Sequence, residues 1–414
     1  MNAEIISVGT ELLMGQTLNT DAQYLAQKLS ELGINLYYQT TVGDNPGRLK
    51  QTFLHAFSRS DVVITTGGLG PTEDDLTKET IADALGIKMV LHEESRRRIK
   101  EFFGKTGLVP PVSNFKQAVM PAGAVVIKND QGTAPGCIIE KDGKSIVILP
   151  GPPRELIPMF EADVMPYLDA RSGRVIASRV LHIFGLGESL IEERIIDIVQ
   201  AQTNPTIAPY AALTEVALRI TASCRKGEDP RPLIRPVEEE IRSRLGDHVY
   251  GADDDTMEKV AARLLIEKRM KLAVAESCTG GMVTSRLVDV PGISASLVCG
   301  IVAYDDSVKT GLLGVPEAVI REYGAVSAET AEAMAKGALK ICTADISLAT
   351  TGIAGPSGGT AEKPVGLVYC GLATGYGIFV KQLQFSGDRE KIRMRASMYV
   401  LDMLRRELLG IRQL

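Results

Sequence analysis

A serine at the end of an apolar segment is the first candidate for chemistry in this sequence. Ser277 lies in the run 275–281 (AESCTGG), after the apolar residues 272–274 and before a helix-like run, 282–288. A serine at a strand-to-helix turn can present its hydroxyl at the edge of a sheet and attack a carbonyl carbon. Capping the following helix is its alternative role. The N–H groups that would stabilise the oxyanion belong to Thr279, Gly280 and Gly281.

A serine nucleophile needs a base, and the last region of the chain holds no histidine, because all four histidines lie before residue 250. Lys309 follows the apolar run 298–303 and is the candidate, since partial burial of a lysine favours the neutral amine that a base requires. A solvated surface lysine is the other interpretation. Cys278 is a rival nucleophile, intrinsically stronger than serine, but it lacks a histidine partner in its region.

Two further features of the last region suit recognition of a phosphate. The loop 350–359 (TTGIAGPSGG) follows an apolar run, and glycines such as Gly352 and Gly355 let backbone N–H groups approach an anion. Arg389 begins a basic helix, where a guanidinium can bind a phosphate through two hydrogen bonds. A flexible loop and a solvated basic face are the alternatives.

In the first region, two glycine-containing segments also follow strand-like runs. Ligands of parallel α/β sheets bind beyond the carboxyl ends of the strands, so these segments predict a ligand site. Neither segment is a GxGxxG fingerprint or a Walker loop, so the motifs alone do not name the ligand. Asp44 and Asp75 are placed to hold a divalent cation or a ligand hydroxyl. Turns and helix caps are the alternative interpretation. The residues predicted to form this site are Gly9, Glu11, Asn19, Gly67, Gly68 and Gly70.

The elements that must position these residues fall into three regions. Residues 1–170 alternate strand-like and helix-like segments, which predicts a parallel sheet with helices on both faces, a three-layer αβα domain. The pattern of residues 171–252 predicts a small α+β, KH-like domain, and that of residues 253–414 predicts a further α/β domain. The middle region has the segment 185–188 (GLGE), whose acidic end argues against nucleic-acid binding.

Composition narrows the class of protein. The chain has 414 residues, of which 45% are apolar and 23% charged, with a net charge of −5, so nothing attracts it generally to nucleic acid or anionic lipid. No apolar run reaches the roughly 20 residues that span a bilayer, and the N-terminus resembles a first strand, which predicts a cytoplasmic protein without a membrane partner. The six scattered cysteines predict neither disulfides nor a zinc site, with Cys299, Cys342 and Cys370 as core thiols.

The first region resembles the MoaB/MogA-like molybdopterin-binding domain. The resemblance rests on the runs 9–13 (GTELL), 66–72 (TGGLGPT), 75–77 (DLT) and 150–153 (PGPP). In that family, the acidic positions that match Asp44 and Asp75 lie in the pterin or nucleotide pocket.

The same domain opens proteins of the CinA (competence/damage-inducible protein A) family, and the last region resembles their C-terminal domain, also called PncC. Such domains hydrolyse the carboxamide of nicotinamide mononucleotide, giving nicotinate mononucleotide and ammonia. The resemblance implies that Ser277 is the nucleophile and Lys309 its partner. It also implies that Tyr304 is a catalytic residue on the substrate side of this pair and that Arg389 binds the substrate. The matching blocks are 275–281, 300–309, 324–327, 352–359, 363–366 and 387–389.

The resemblance also implies what the protein works with. The amidase needs no cofactor, whereas the first domain is associated in this family with ADP-ribose pyrophosphatase activity, which requires a divalent metal (Mg, Mn or Co). Lys116, in a loop that also resembles the family, would neutralise a phosphate or lie solvated on the surface. The implied partners are pyridine nucleotides and ADP-ribose, in a homodimer. A non-enzymatic pterin- or nucleotide-binding adaptor linked to competence or DNA damage is the alternative.

Overall fold

The computed structural model describes residues 1–105 and 108–412 and divides into two compact units. The first unit comprises Met1–Ala177 with Ala222–Pro232, and the second comprises Ser178–Thr221 with Leu233–Leu414. Within the described residues, no helix is both long and apolar enough to cross a membrane.

The first unit contains a six-stranded sheet and a two-stranded sheet. Its strands are β1 (Asn2–Val8), β2 (Asn35–Val42), β3 (Val62–Thr66), β4 (Met89–Leu91), β5 (Val119–Pro121), β6 (Val125–Ile127), β7 (Gly136–Lys141) and β8 (Lys144–Leu149). The larger sheet has the order β2-β1-β3-β8-β7-β6, and β4 pairs with β5. The helices are α1 (Thr10–Leu13), α2 (Thr20–Glu31), α3 (Pro46–Arg59), α4 (Thr77–Leu85), α5 (Glu93–Lys105), α6 (Pro153–Met159) and α7 (Met165–Ser172).

Helices cover both faces of the larger sheet. Successive side chains of a strand point to opposite faces, so neighbouring residues of β1 pack against different helices. In β1, Ile5 packs in one apolar cluster with Leu25 of α2. Its neighbour Ile6 packs in the other cluster with Phe53 of α3 and Ile81 of α4. The predicted three-layer αβα arrangement is therefore confirmed.

The sheet is mixed, although the sequence analysis expected a parallel one. Strands β2, β1, β3 and β8 are parallel, whereas β7 and β6 are antiparallel additions at one edge. The two residues between β7 and β8 are Asp142 and Gly143, both with positive φ, of 52° and 76°. Because so short a connection can join only antiparallel strands, this turn fixes the direction of β7.

The chain then forms a four-stranded sheet of order β10-β11-β9-β12. Its strands are β9 (Arg174–Ile183), β10 (Thr206–Ala211), β11 (Val216–Arg225) and β12 (Val249–Ala252). The helices α8 (Glu188–Ala201) and α9 (Arg231–Leu245) accompany it, with Ile195 and Ile241 buried. This mixture of elements confirms the predicted small α+β fold of the middle region.

The last part of the chain forms a five-stranded sheet of which three strands are parallel. The strands are β13 (Leu272–Glu276), β14 (Leu297–Val302), β15 (Ile346–Gly352), β16 (Leu367–Thr374) and β17 (Ile378–Gln384), in the order β14-β13-β15-β16-β17. Strands β14, β13 and β15 are parallel, and β16 and β17 are antiparallel. The helices are α10 (Met257–Lys268), α11 (Met282–Val288), α12 (Asp306–Gly311), α13 (Glu317–Tyr323), α14 (Ala328–Ile341) and α15 (Arg389–Leu409).

Strand β13 is buried on both faces and so holds the serine turn rigidly. Val274 packs in one apolar cluster with Leu265 of α10 and Leu401 of α15. Ala275 packs in another with Met334 of α14. The parallel strands β13 and β15 end at the same edge of the sheet, where both predicted loops of this region begin.

The cysteine prediction is wrong for two residues. Cys299 of β14 and Cys342, which follows α14, form a disulfide, and neither is fully buried. They are 43 residues apart in sequence, and only the packing of α14 brings the two Cα atoms to 6.7 Å. No short spacing motif signals such a pair. Cys370, by contrast, is a buried free thiol as predicted.

Candidate functional site

The turn that carries Ser277 is held from three sides. The Ser277 N–H donates to the carbonyl of Thr350 in β15, at 2.9 Å, so the serine still belongs to the sheet. The buried carboxylate of Glu276 accepts hydrogen bonds from the N–H groups of Val283 and Thr284, at 3.0 and 2.8 Å, and fixes the start of α11. Arg393 of α15 donates to the carbonyl of Thr279 at 2.8 Å.

Burial separates the two candidate nucleophiles of this turn. Burial raises the pKa of the Cys278 thiol to about 12, so the thiol stays protonated at neutral pH. Since the thiolate is the nucleophilic form of cysteine, this favours Ser277 over Cys278.

Lys309 is not a surface lysine. It lies on α12 with only 2% of its side chain exposed. Its Nζ donates to the carbonyl oxygen of Tyr304, at 2.9 Å, and to Oδ1 of Asp306, at 3.0 Å. Buried amines need such acceptors, so these two contacts fix where the nitrogen lies.

Arg389 is the first residue of α15, after Asp388, which caps the helix. Its Nη1 donates to the carbonyl of Gly355 and its Nη2 to the phenol oxygen of Tyr304, both at 2.9 Å. Both acceptors are neutral, and no carboxylate of the described residues lies within ion-pair distance of this guanidinium. Its positive charge is therefore free to attract an anion.

These side chains meet at one cavity of about 220 Å³. Asp306 and Thr351, which the sequence analysis did not single out, also line it. Asp306 lies three residues before Lys309, a spacing that places two residues on the same side of a helix and could have identified it. The hydroxyl of Thr351 donates to the carbonyl of Ala325 at 2.6 Å. The predicted residues on the cavity wall are Ser277, Tyr304, Lys309, Gly352 and Arg389.

Four predicted substrate contacts do not line this cavity. The side chain of Thr279 is fully buried and bonds to the hydroxyl of Thr350 at 2.7 Å. The N–H of Gly280 donates to the carbonyl of Ser277, at 3.1 Å, and is thus unavailable to an oxyanion. Gly281 precedes α11 with a φ of 90°, and Gly355 contributes its carbonyl to Arg389. These residues shape the turn and the loop rather than the cavity wall.

The first unit holds a second, larger cavity of about 820 Å³ at the carboxyl ends of its parallel strands. Gly67 and Gly68 approach other backbone and side-chain atoms closely, since a Cβ on either would lie 2.1 Å from the Val8 oxygen or from Oγ1 of Thr77. The predicted residues on its wall are Gly9, Glu11, Asn19, Asp44, Gly67, Gly68, Gly70 and Asp75.

Three of these predicted residues also have structural partners. Asn19 caps α2 by accepting from the N–H of Ala22 at 3.1 Å. Oδ2 of Asp44 accepts from the N–H and the hydroxyl of Thr10, at 2.9 and 2.8 Å. Oδ2 of Asp75 accepts likewise from Thr72. Each aspartate keeps Oδ1, which no described residue engages.

Lys116 does not line the cavity. Its Nζ donates to the carbonyls of Thr72 and Asp75, at 2.8 and 2.6 Å. The lysine therefore holds the loop that carries Asp75, which is a different role from the predicted neutralisation of a phosphate.

The lining of the larger cavity is strongly acidic. One guanidinium, that of Arg154, faces six carboxyl groups there. Asp21 was missed by the sequence analysis; burial raises its pKa to about 6, and its Oδ1 is buried without a hydrogen-bond partner. The six carboxyl groups belong to Glu11, Asp21, Asp44, Asp74, Asp75 and Glu155.

The donor set fits a divalent cation that arrives with a ligand. Within the described ranges, no group of three or more His, Cys, Asp or Glu side chains is arranged to hold a metal by itself. Mg²⁺ commonly takes one or two carboxylates together with substrate phosphates and water. Asp44 and Asp75, each with one unengaged oxygen, match that requirement.

Comparison with known proteins covers all three parts of the chain. Three family models match: a probable molybdopterin binding domain over residues 4–170, the KH domain of damage-inducible protein CinA over 178–251, and the CinA C-terminal domain over 254–408. The crystal structure of a CinA protein of unknown function from Thermoplasma acidophilum is 37% identical, covers 39% of this chain and 94% of its own, and has a TM-score of 0.37.

Relatives match over the whole length. A CinA-like protein from Dictyoglomus turgidum is 54% identical over 99% of this chain and 100% of its own. A putative competence-damage inducible protein from Thermoanaerobacter pseudethanolicus is 52% identical over the full length of both chains. This chain belongs to the CinA family.

Proposed function

We propose that the last region hydrolyses the carboxamide of nicotinamide mononucleotide to nicotinate mononucleotide and ammonia, a reaction of pyridine-nucleotide salvage. One observation carries the proposal. Ser277, Tyr304, Lys309, Gly352 and Arg389 come from four separate segments of the sequence, and all line one small cavity. That cavity combines a nucleophile, a buried amine and an uncompensated cation.

The reaction is an acyl transfer. The hydroxyl oxygen of Ser277 attacks the carboxamide carbon while its proton passes to the neutral amine of Lys309. The tetrahedral intermediate then breaks its C–N bond, and Lys309 returns the proton to the leaving nitrogen, which departs as ammonia. Water attacks the acyl-serine ester, its proton passes through Lys309 back to Ser277, and nicotinate mononucleotide leaves. This series of reaction steps needs no cofactor.

Arg389 supports the choice of a phosphorylated substrate. Its guanidinium has only neutral acceptors, the Gly355 carbonyl and the Tyr304 phenol. Charge-assisted hydrogen bonds to a phosphate are stronger than bonds to neutral groups, so a ribose phosphate would displace or join these acceptors. The nicotinamide ring would then lie toward Ser277.

Ammonia release tests the amidase. The substrate is nicotinamide mononucleotide, with nicotinamide and NAD as comparison compounds. Ser277→Ala should abolish release, and Ser285→Ala, which alters an exposed serine on the adjacent helix α11, should leave it unchanged. Release by Ser277→Ala at the wild-type rate would exclude this mechanism.

We propose a second activity for the first region: hydrolysis of ADP-ribose, in which water attacks the diphosphate and gives AMP and ribose 5-phosphate, with a divalent cation. The acidic lining of the larger cavity supports the requirement for a cation. Six carboxyl groups and one guanidinium would repel a diphosphate that had no metal bound to it. Asp44 and Asp75 would hold the cation (Mg, Mn or Co), which neutralises phosphate charge and makes phosphorus easier to attack. The backbone N–H of Gly68 would contact the diphosphate, whereas the N–H of Gly67 donates to the carbonyl of Leu149 at 3.1 Å.

AMP formation with each metal and with a chelator tests the second activity. Asp75→Asn should remove turnover, whereas Asp83→Asn, which changes an exposed aspartate on α4, should retain it. Full turnover by Asp75→Asn without any metal dependence contradicts the proposal. Tight nucleotide or pterin binding without turnover would favour the adaptor alternative. The homodimer also stays a prediction, which light scattering tests.

A further inference from the structure

Asp21 is a buried carboxyl group on the wall of the larger cavity, and the protein itself gives it no partner. The residue is 8% exposed, and its Oδ1 is buried without a hydrogen-bond donor. Among the residues that the structure describes, none donates to its other oxygen, Oδ2, or forms an ion pair with it. The hydrolysis proposed for the first region does not use this carboxyl group.

A carboxyl group in such surroundings destabilises the folded protein, because burial of a charge without hydrogen bonds is unfavourable. Burial raises the pKa of Asp21 to about 6, so the group is still mostly ionised at pH 7.5. Its place in the first turn of α2 offsets only part of the cost, since the helix dipole acts weakly on one charge. A ligand that donates a hydrogen bond to the carboxylate would remove much of the rest.

We propose that Asp21 accepts hydrogen bonds from the hydroxyl groups of a ribose ring and thereby selects ribose-containing phosphates at the larger cavity. The inference rests on the nucleotide chemistry proposed for the first region. Asp21 is a specificity-determining residue in this proposal, because it contacts the sugar and not the phosphorus that reacts. The ring is either the adenosine ribose or the terminal ribose of ADP-ribose.

The position of Asp21 argues against a role as a further metal ligand. Asp44 and Asp75 precede α3 and α4, which pack on the same face of the larger sheet. Asp21 belongs to α2, which packs on the opposite face. Within the described ranges, no three acidic, histidine or cysteine side chains are arranged to hold a metal, so Asp21 does not complete a cation site with the other two aspartates.

The chemistry of a nucleotide leaves few donors for this carboxylate. Phosphate oxygens carry negative charge and would repel it. Ribose hydroxyl groups are neutral donors, and their hydrogen bonds to a carboxylate are short and strong. Acidic side chains at the carboxyl ends of parallel strands bind ribose hydroxyls in this way.

The size of the cavity allows one ligand to reach both groups of residues. Its volume of about 820 Å³ lies in the range of cavities that enclose a whole small molecule. With the cation at Asp44 and Asp75 and the diphosphate beside Gly68, a sugar attached to the diphosphate extends across the strand ends toward Asp21. The carboxylate then contacts a part of the ligand that the metal does not bind.

Calorimetric titration of the full-length protein at pH 7.5, with Mg²⁺ present, compares two matched pairs of compounds. ADP and 2′,3′-dideoxy-ADP test the adenosine ribose. Ribose 5-phosphate and tetrahydrofurfuryl phosphate, which has the same ring without hydroxyl groups, test the terminal ribose. The wild type should bind the hydroxylated member of one pair about tenfold to hundredfold more tightly, the range expected for hydrogen bonds to a charged group.

Asp21→Ala should bind both members of that pair equally, because the acceptor is gone. Its affinity for the member without hydroxyl groups should not fall, since loss of a negative charge does not weaken phosphate binding. Asp21→Asn keeps an acceptor oxygen without the charge and should retain a preference of about threefold to tenfold. Asp83→Ala, at an exposed position on α4, should keep the wild-type preference.

A hydroxyl preference that Asp21→Ala abolishes supports the inference, and the pair that shows it identifies the ring. Dependence on Asp21 also excludes binding at the smaller cavity as its source. If circular dichroism shows that Asp21→Ala is unfolded, the reduced preference of Asp21→Asn decides. The inference is overturned if the wild type shows no preference in either pair, if none of the four compounds binds, or if the Asp21 variants keep the full preference.

AMP formation from ADP-ribose, measured in parallel, separates this inference from the proposed pyrophosphatase. A preference that depends on Asp21, without AMP formation, means that the pyrophosphatase proposal fails and the ribose contact stands. AMP formation by a wild-type protein without any hydroxyl preference means the reverse.

Discussion

The guanidinium of Arg389 donates a hydrogen bond of 2.9 Å to the phenol oxygen of Tyr304, 85 residues earlier in the chain. The same guanidinium also bonds to the carbonyl of Gly355, in the loop after β15. One side chain thereby ties α15 to two segments that follow different strands of the sheet. Removal of Arg389 should affect both the shape of the cavity and the recognition of its anionic ligand.

Arg389→Ala should raise KM for nicotinamide mononucleotide by about tenfold to hundredfold, since charge-assisted hydrogen bonds contribute about 1.5–3 kcal/mol. The kcat value should fall less. Steady-state ammonia release gives both constants. Nicotinamide riboside, which lacks the phosphate, should be turned over equally poorly by the variant and the wild type. Arg395→Ala, on the same helix but bonded to Ser386, is the control, and an equal rise in its KM would argue against a specific phosphate contact.

Cys278→Ala should retain most of the amidase activity. The thiol is 6% exposed and its pKa is raised to about 12 by burial, so the fraction of thiolate at neutral pH is negligible. Iodoacetamide should likewise leave the wild-type enzyme active. Loss of ammonia release in Cys278→Ala, with the fold intact by circular dichroism, would make the cysteine the better nucleophile.

Gly67→Ala should destabilise the first unit by roughly 3 kcal/mol or more. The glycine has a φ of 93°, which side chains rarely adopt, and a Cβ there would lie 2.1 Å from the backbone oxygen of Val8. Urea unfolding measures the loss. Gly123→Ala is the matched control, because its φ is also positive, at 79°, but open space surrounds its Cβ position. Equal losses in the two variants would show that strain, and not close approach, dominates.

Much of both sites could be predicted from strand ends. Glycines and hydroxyl side chains after apolar runs located Ser277, Gly352 and Gly67, because parallel strands of one sheet end at a common edge. The direction of each side chain could not be predicted. Lys116 bonds to the loop beside it, and Thr279 points into the core, although both lie in blocks that match the family.

The features that the sequence analysis missed depend on contacts between distant segments. The Cys299–Cys342 disulfide depends on the packing of α14 against the sheet, and no local sequence pattern predicts that packing. Asp21 lies in the first turn of α2, where an acidic residue is common, and its burial beside the larger cavity follows from the loops around it. The antiparallel edge of the first sheet could have been predicted from Asp142 and Gly143, because an Asp-Gly pair is typical of a tight turn between antiparallel strands.

Asp21 gives a prediction for stability against pH. Burial raises its pKa from 3.8 to about 6, and its Oδ1 has no partner. Between these pH values the folded state binds more protons than the unfolded state, so stability falls as pH rises through this window. Below about pH 4 the carboxyl is neutral in both states and costs nothing. Above about pH 6 the whole penalty is present, about 3 kcal/mol for a shift of this size.

Asp21→Asn should therefore stabilise the protein by about 1–2 kcal/mol at pH 7.5 and hardly at all at pH 4. Urea unfolding at both pH values measures the difference, and Asp83→Asn, at an exposed position, is the control. A variant that is less stable than the wild type at pH 7.5 would mean that the carboxylate is stabilised by its surroundings. A stabilised variant that loses ADP-ribose turnover would instead indicate that this carboxyl is kept, despite its energetic cost, for the ligand of the larger cavity.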